Sequence, residues 1–113
     1  LIPEDTLEAI VKRTRVAGGE IVKLFGNGSA YFAPAQSAIE MAESYLLDKK
    51  RVIPCAALCE GEFGINGYFI GVPTVIGSGG VEKILEFQLT EEENSALQNT
   101  LQHVKKTIEE IGL

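Results

Sequence analysis

Val52-Ile53-Pro54-Cys55-Ala56-Ala57-Leu58-Cys59 and, nine residues on, Tyr68-Phe69-Ile70-Gly71-Val72-Pro73-Thr74-Val75-Ile76 are the two runs that decide the fold. Both are short, apolar and rich in β-branched residues, and both are bounded by glycine, which is the pattern of strands rather than helices. Apolar residues stand on both faces of the first run, so the strand is expected to be buried on both sides. Pro54 and Pro73 have no N–H to give to a ladder, which places part of each strand at an edge or a bulge. Asn66-Gly67 has the composition of a tight type I′ turn between them. Gly77-Ser78-Gly79-Gly80 then leads into a third expected strand, Val81 to Leu89. The expected sheet is a three-stranded antiparallel meander.

Helical periodicity surrounds this core. Between Glu4 and Phe25, Leu7, Ile10, Val11, Thr14, Ala17, Gly18, Ile21, Val22 and Phe25 recur at three- and four-residue steps, one stripe of an amphipathic helix. Gly18-Gly19 inside it costs about 1 kcal/mol per residue relative to alanine and suggests a kink or close backbone packing. Gly26-Asn27-Gly28 supplies the stop. Pro34 suits the first turn of a second helix, on which Ala35, Ala38, Ile39, Ala42 and Leu46 form the apolar stripe. Thr90 followed by Glu93 is a capping box for a last helix, with Glu91 and Glu92 in its first turn. Leu97, Leu101, Val104, Ile108 and Ile111 line one side of it, and Gly112 is a plausible end. The order helix, helix, three strands, helix defines an α+β fold, with helices packed on a small antiparallel β-sheet.

Composition narrows the function. The 113 residues fit one domain, 45% hydrophobic and 23% charged. No apolar run approaches the roughly 18 residues that cross a bilayer, so no membrane partner is expected. A net charge of −6 and a pI near 4.8 oppose a nucleic-acid partner. The start, Leu1-Ile2-Pro3-Glu4-Asp5, lacks an initiating Met and has no basic segment followed by an apolar run, so a piece of a longer protein is one reading. In a strand Cys55 and Cys59 stand roughly 13 Å apart, too far to pair. With a single histidine, no metal site is expected; the cysteines read as core thiols in a reducing compartment, the cytoplasm.

Other candidates have plainer readings. Gly77-Ser78-Gly79-Gly80 lacks the Gly-Lys-Ser/Thr ending of a Walker loop and is followed by a strand, so it is a turn. Lys49, Lys50 and Arg51 are expected to serve the carboxy-terminal dipole of the second helix rather than a phosphate. His103, on the last helix without a positioned nucleophile, reads as a surface or interface residue. Gly26 to Ala30 carries the only glycine-flanked polar cluster at a helix start, where free amides could meet an anion.

Several segments in register resemble the lactate/malate dehydrogenase family on its malate side: Arg13-Thr14-Arg15, Gly19-Glu20-Ile21-Val22, Gly28-Ser29-Ala30-Tyr31-Phe32-Ala33-Pro34-Ala35, Met41-Ala42-Glu43-Ser44-Tyr45-Leu46, Arg51-Val52-Ile53-Pro54-Cys55, Gly71-Val72-Pro73-Thr74-Val75-Ile76-Gly77 and Gly80-Val81-Glu82-Lys83-Ile84. The resemblance runs from about Leu7 to the last helix. It implies a carboxy-terminal substrate-binding domain over residues 1–113, without the amino-terminal NAD-binding Rossmann domain. It implies an enzyme that moves hydride between a 2-hydroxy acid and NAD, with its catalytic histidine, orienting aspartate and carboxylate-binding arginines all upstream of Leu1. No catalytic residue is therefore expected in this chain. By motif position Gly28, Ser29 and Ala30 line the substrate pocket and Pro34 approaches the nicotinamide. The small Ala30 favours malate, with lactate as the alternative. The implied partners are the small 2-hydroxy or 2-keto acid, the amino-terminal half of the enzyme, and further subunits in a homodimer or homotetramer. A free-standing α+β interaction module without enzymatic role is the reading from another class, and the upstream reading frame separates the two.

Overall fold

The computed structural model describes residues 2–112, which divide into two compact units at Glu40/Met41. The first holds α1 (Glu4–Phe25) and the start of α2 (Phe32–Leu46). The second holds the rest of α2, strands β1 (Arg51–Glu60), β2 (Asn66–Gly77) and β3 (Gly80–Ile84), and α3 (Glu91–Ile111).

In the first unit α1 runs unbroken through Gly18-Gly19, and a Cβ at either position would meet open space, so the expected kink or close approach is absent there. No residue of α1 is buried, although its apolar stripe is present as expected. Gly26, at φ 78°, closes the helix with its N–H on the Val22 carbonyl oxygen at 3.1 Å.

In the second unit the sheet is an antiparallel meander in the order β1-β2-β3. Its core face carries Ala57 and Cys59 from β1, Ile70 and Val72 from β2 and Ile84 from β3, joined by Ile65 and by Leu101 of α3. Leu97 and Val104, one turn to either side of Leu101, pack against the same cluster. The last helix therefore covers the sheet of its own chain, and Lys105 adds its ammonium 5.2 Å from the centre of the Tyr68 ring. Thr90 and Glu93 form the expected reciprocal cap, and Gly112 ends the helix in the left-handed region at φ 74°.

Three local expectations are corrected. The third strand stops at Ile84 rather than Leu89. Its next residue, Leu85, gives its N–H to the Pro73 carbonyl oxygen at 2.9 Å, but Pro73 has no N–H to return, and the ladder ends at that pair. Asn66-Gly67 is not the turn. The chain reverses through a 3-10 turn, Glu62–Gly64, with Gly61 N–H on Ile65 O and Ile65 N–H on Glu62 O. Gly67, at φ 80°, is instead the extra residue of a bulge where Cys59 faces Tyr68 and Glu60 faces Asn66. Finally, Lys49 and Lys50 are not in the last turn of α2: Lys49 pairs with Glu43 at 2.7 Å, and Lys50 pairs with Asp48 at 3.0 Å and Glu82 at 2.7 Å.

Pro54 and Pro73 face each other across β1 and β2. Because Pro73 turns its carbonyl to β3, this pair makes no ladder bonds, and the ring nitrogen of Pro54 lies on the open edge of β1.

Candidate functional site

The segment Gly28 to Pro34 joins α1 to α2 within the first unit, so all four residues expected to line a pocket stand on one continuous stretch. Two aromatic rings brace its ends: Phe25, the last residue of α1, and Phe32, the first of α2, lie with ring centres 5.9 Å apart. Gly28 sits at φ 92°, where a side chain is strained, and a Cβ there would collide with the phenol oxygen of Tyr31. Ser29 is exposed and Ala30 half-buried. The Tyr31 carbonyl oxygen accepts the Ala35 N–H at 3.0 Å as α2 begins. Pro34 stands exposed in the first helical turn, where its missing N–H has no intrahelical partner to lose.

From Gly26 to Ala35 there is no charged side chain. Such a stretch can shape a small polar pocket and let a flat ring approach, but it cannot clamp a carboxylate by charge. The nearest ion pair on α1 is closed on itself: Arg13 holds Glu20 through two hydrogen bonds, 3.0 Å from Nε and 2.7 Å from the terminal nitrogen. That fork raises the arginine pKa and lowers that of Glu20.

The other glycine cluster is a hairpin turn, as expected. Ser78 N–H donates to Asp48 Oδ1 at 2.8 Å and Gly79 N–H to Glu82 Oε1 at 3.3 Å, while Lys50 bridges the two carboxylates. The Ser78 amide, then Lys50, holds Asp48 below the usual carboxylate range; Lys50, then the Gly79 amide, does the same for Glu82. A loop whose amides already serve two anions has no room for the pyrophosphate of a dinucleotide. A Cβ at Gly77 would press on both carboxylates, so a larger residue there has to displace the Glu82 and Asp48 side chains from the clamp.

Cys55 is half-buried and Cys59 fully buried, both unpaired. Burial, with Glu62 and Glu86 behind it, pushes the Cys59 thiol up. His103 is exposed, and its Nδ1 lies 2.8 Å from the Asn99 carbonyl oxygen of its own helix. Among the described residues no group of three or more His, Cys, Asp or Glu side chains could hold a metal ion, and no helix is long and apolar enough to cross a membrane. Two features escaped the sequence: Tyr31 against Gly28, and the Asp48–Lys50–Glu82 clamp. The first depends on a ring orientation; the second joins residues 32 apart and needs the β2–β3 register.

The lactate/malate dehydrogenase, alpha/beta C-terminal domain matches residues 1–112. The chain belongs to this family. Among relatives of this dehydrogenase domain, malate dehydrogenase 1 of Anaeromyxobacter dehalogenans is 58% identical over all 113 residues, and malate dehydrogenase of Geobacillus kaustophilus 54% identical over 108. The chain spans 36% and 35% of their lengths, about a third of each. Malate dehydrogenase from Salinibacter ruber superposes with a TM-score of 0.91 at 46% identity, over 98% of this chain and 36% of that one. Lactate dehydrogenase from Eimeria maxima, solved with NADH and oxamate, also reaches 0.91, at 43% identity over 97% of this chain and 34% of its own. The dehydrogenase-domain fold thus agrees with the α+β order of helices and antiparallel strands described above.

Proposed function

We propose that this chain is the carboxy-terminal, substrate-binding third of an NAD-dependent malate dehydrogenase. The observation that carries this reading is its 58% identity, over its whole length, to a curated malate dehydrogenase. Among the relatives cited above, the malate dehydrogenases are closer in sequence than the lactate dehydrogenase of the same fold, which favours malate over lactate.

In this reading Gly28, Ser29 and Ala30 form one wall of the substrate pocket, and Pro34 stands beside the nicotinamide. The left-handed Gly28 turns the backbone tightly, Ser29 offers an exposed hydroxyl, and Ala30 leaves space for a second substrate carboxylate. Hydride transfer is chemistry that NAD supplies when bound, and the residues here do not form a cradle for it: the segment is uncharged and the hairpin amides are occupied. The cofactor is therefore held mainly by an amino-terminal Rossmann domain, which also brings the general base and the arginines for the substrate carboxylate. A cytoplasmic homodimer or homotetramer is the setting this reading implies.

In the parent enzyme, Ala30→Trp fills the space beside Ser29 and should raise KM for malate at least several-fold while leaving Tm in place. Unchanged kinetics would remove residues 28–30 from the pocket. The 113-residue chain by itself should show no malate-dependent reduction of NAD. Turnover near that of an intact dehydrogenase, abolished by His103→Ala, would overturn this placement of the chemistry.

A further inference from the structure

The sheet has a second face. On β1, Val52, Ala56 and Leu58 alternate with the core positions, and their register partners on β2 are Val75, Gly71 and Phe69, with the Pro54–Pro73 pair between them. None of these positions carries a charge or a hydrogen-bonding side chain, whereas a strand that meets water on one side alternates apolar with polar. Val52 is 55% exposed, Leu58 42% and Phe69 64%. The β1–β2 pair is thus composed for burial on both faces and covered on one, with Lys83 of β3, the register partner of Val75, at the margin of the open face.

Its shape limits what can sit there. From Val52 to Leu58 the strand rises about 20 Å, and two strands are about 10 Å wide, a footprint on the order of 200 Å². A stable interface between separate proteins needs roughly 800 Å² from each partner. The patch is too small to hold a second copy of the chain by itself, but it matches the roughly 10 Å diameter of one helix. A segment of the same polypeptide needs no large interface, because its linkage keeps it at high effective concentration. Growth of the sheet by another strand at this edge is opposed by Pro54, which offers no N–H there. The relatives described above extend over nearly three times this length, leaving ample chain to supply such an element.

We propose that this face seats one apolar α-helix contributed by the part of the parent dehydrogenase that precedes these residues. The proposal rests on the reading of the chain as the carboxy-terminal third of a longer enzyme.

The test compares the chain with the full-length protein expressed from the reading frame that encodes it, each carrying Phe69→Asp or, separately, Ala56→Glu. In the full-length protein both variants should lower Tm by roughly 5 °C or more, because each places an unpaired carboxylate under the helix. In the chain by itself they should leave Tm unchanged. Should the charged full-length variants fail to fold, Phe69→Ala gives the reading instead: a loss of Tm in the full-length protein and none in the chain. An unchanged full-length Tm overturns the proposal. So does an equal loss in the chain, which would place the cover within the 113 residues. A chain that self-associates, becomes monomeric on Phe69→Asp in gel filtration, and has a full-length form indifferent to the change would assign the face to a second copy. Malate-dependent NAD reduction by the unmodified full-length protein is measured separately: its absence overturns the proposed activity, while the Tm comparison still decides the face. A reading frame with nothing upstream overturns both.

Discussion

Ser44 Oγ donates a 2.6 Å hydrogen bond to the carbonyl oxygen of Ile76, and both partners lie in the second unit, the serine fully buried. The Ser44 hydroxyl oxygen in turn accepts the Arg51 N–H at 3.2 Å, while the Ser44 carbonyl takes the Lys49 N–H at 2.9 Å. One hydroxyl thereby ties the last turn of α2 to the end of β2 and the start of β1. Ser44→Ala leaves a buried carbonyl and an amide without that partner, and should cost about 1–3 kcal/mol. Urea unfolding of the two proteins checks it; a midpoint shift of zero would mean that water replaces the hydroxyl without loss.

Leu101 is 5% exposed at the centre of the contact between α3 and the sheet. Leu101→Ala removes three buried carbons and leaves a cavity, for which about 2–5 kcal/mol is the expected cost. Thermal unfolding measures it. Ile111→Ala, on a side chain 64% exposed at the end of the same helix, should change Tm far less.

The β2–β3 hairpin should respond to pH in a defined direction. Asp48 and Glu82 have folded pKa values below their ordinary ones, so the stability they add is present above the usual carboxylate range and is lost as pH falls through the lowered values. Lys50 is raised, by Glu82 and then Asp48, so its contribution is intact below the usual lysine range and is lost only as pH rises through the raised value. At neutral pH the clamp is whole. NMR shifts of the Ser78 and Gly79 amide protons should titrate with midpoints below the usual carboxylate range, and Lys50→Met should move those midpoints upward. All three side chains are solvent-accessible, so added salt should produce part of the same shift.

Gly28 meets two obstacles to substitution, its φ of 92° and the Tyr31 phenol. On the proposed reading, in which Gly28 belongs to a wall of the substrate pocket and not to the reacting groups, Gly28→Ala in the parent enzyme should raise KM for malate more than it lowers kcat. Adding Tyr31→Ala removes the collision and leaves the backbone strain, so the double variant should recover part of the loss. If the two changes are simply additive, Tyr31 does not set the position of Gly28.

Helix boundaries were readable because their signals are local. The stripe from Leu7 to Phe25 ends at a glycine with positive φ, and Thr90 with Glu93 caps α3 through atoms three residues apart. The pairing partners of the strands were not local. Leu85 to Leu89 has strand composition, but whether it joins the ladder is decided by Pro73 on the neighbouring strand, which cannot donate. Asn66-Gly67 has turn chemistry, yet Gly61 and Gly64 reverse the chain first and leave Gly67 to form the bulge. The basic run at Lys49 likewise has the composition of a helix end, while Glu82, one of its neutralising partners, comes from a distant strand. At the candidate site, the backbone positions of Gly28 and Pro34 followed from composition, while the ring beside Gly28 did not.

Cys55 and Cys59 occupy the same strand, and their unequal cover makes the fold countable by chemistry. The thiol of Cys59 is sealed in the core and its ionisation is suppressed, so little of the reactive thiolate exists there at neutral pH. Cys55, half-buried four residues earlier, is the sulfur that an alkylating reagent reaches first. Mild labelling of folded molecules thus stops near one equivalent, whereas unfolded molecules take two, and the ratio of the two masses in a spectrum reports the folded fraction without an optical probe in a chain that has no tryptophan.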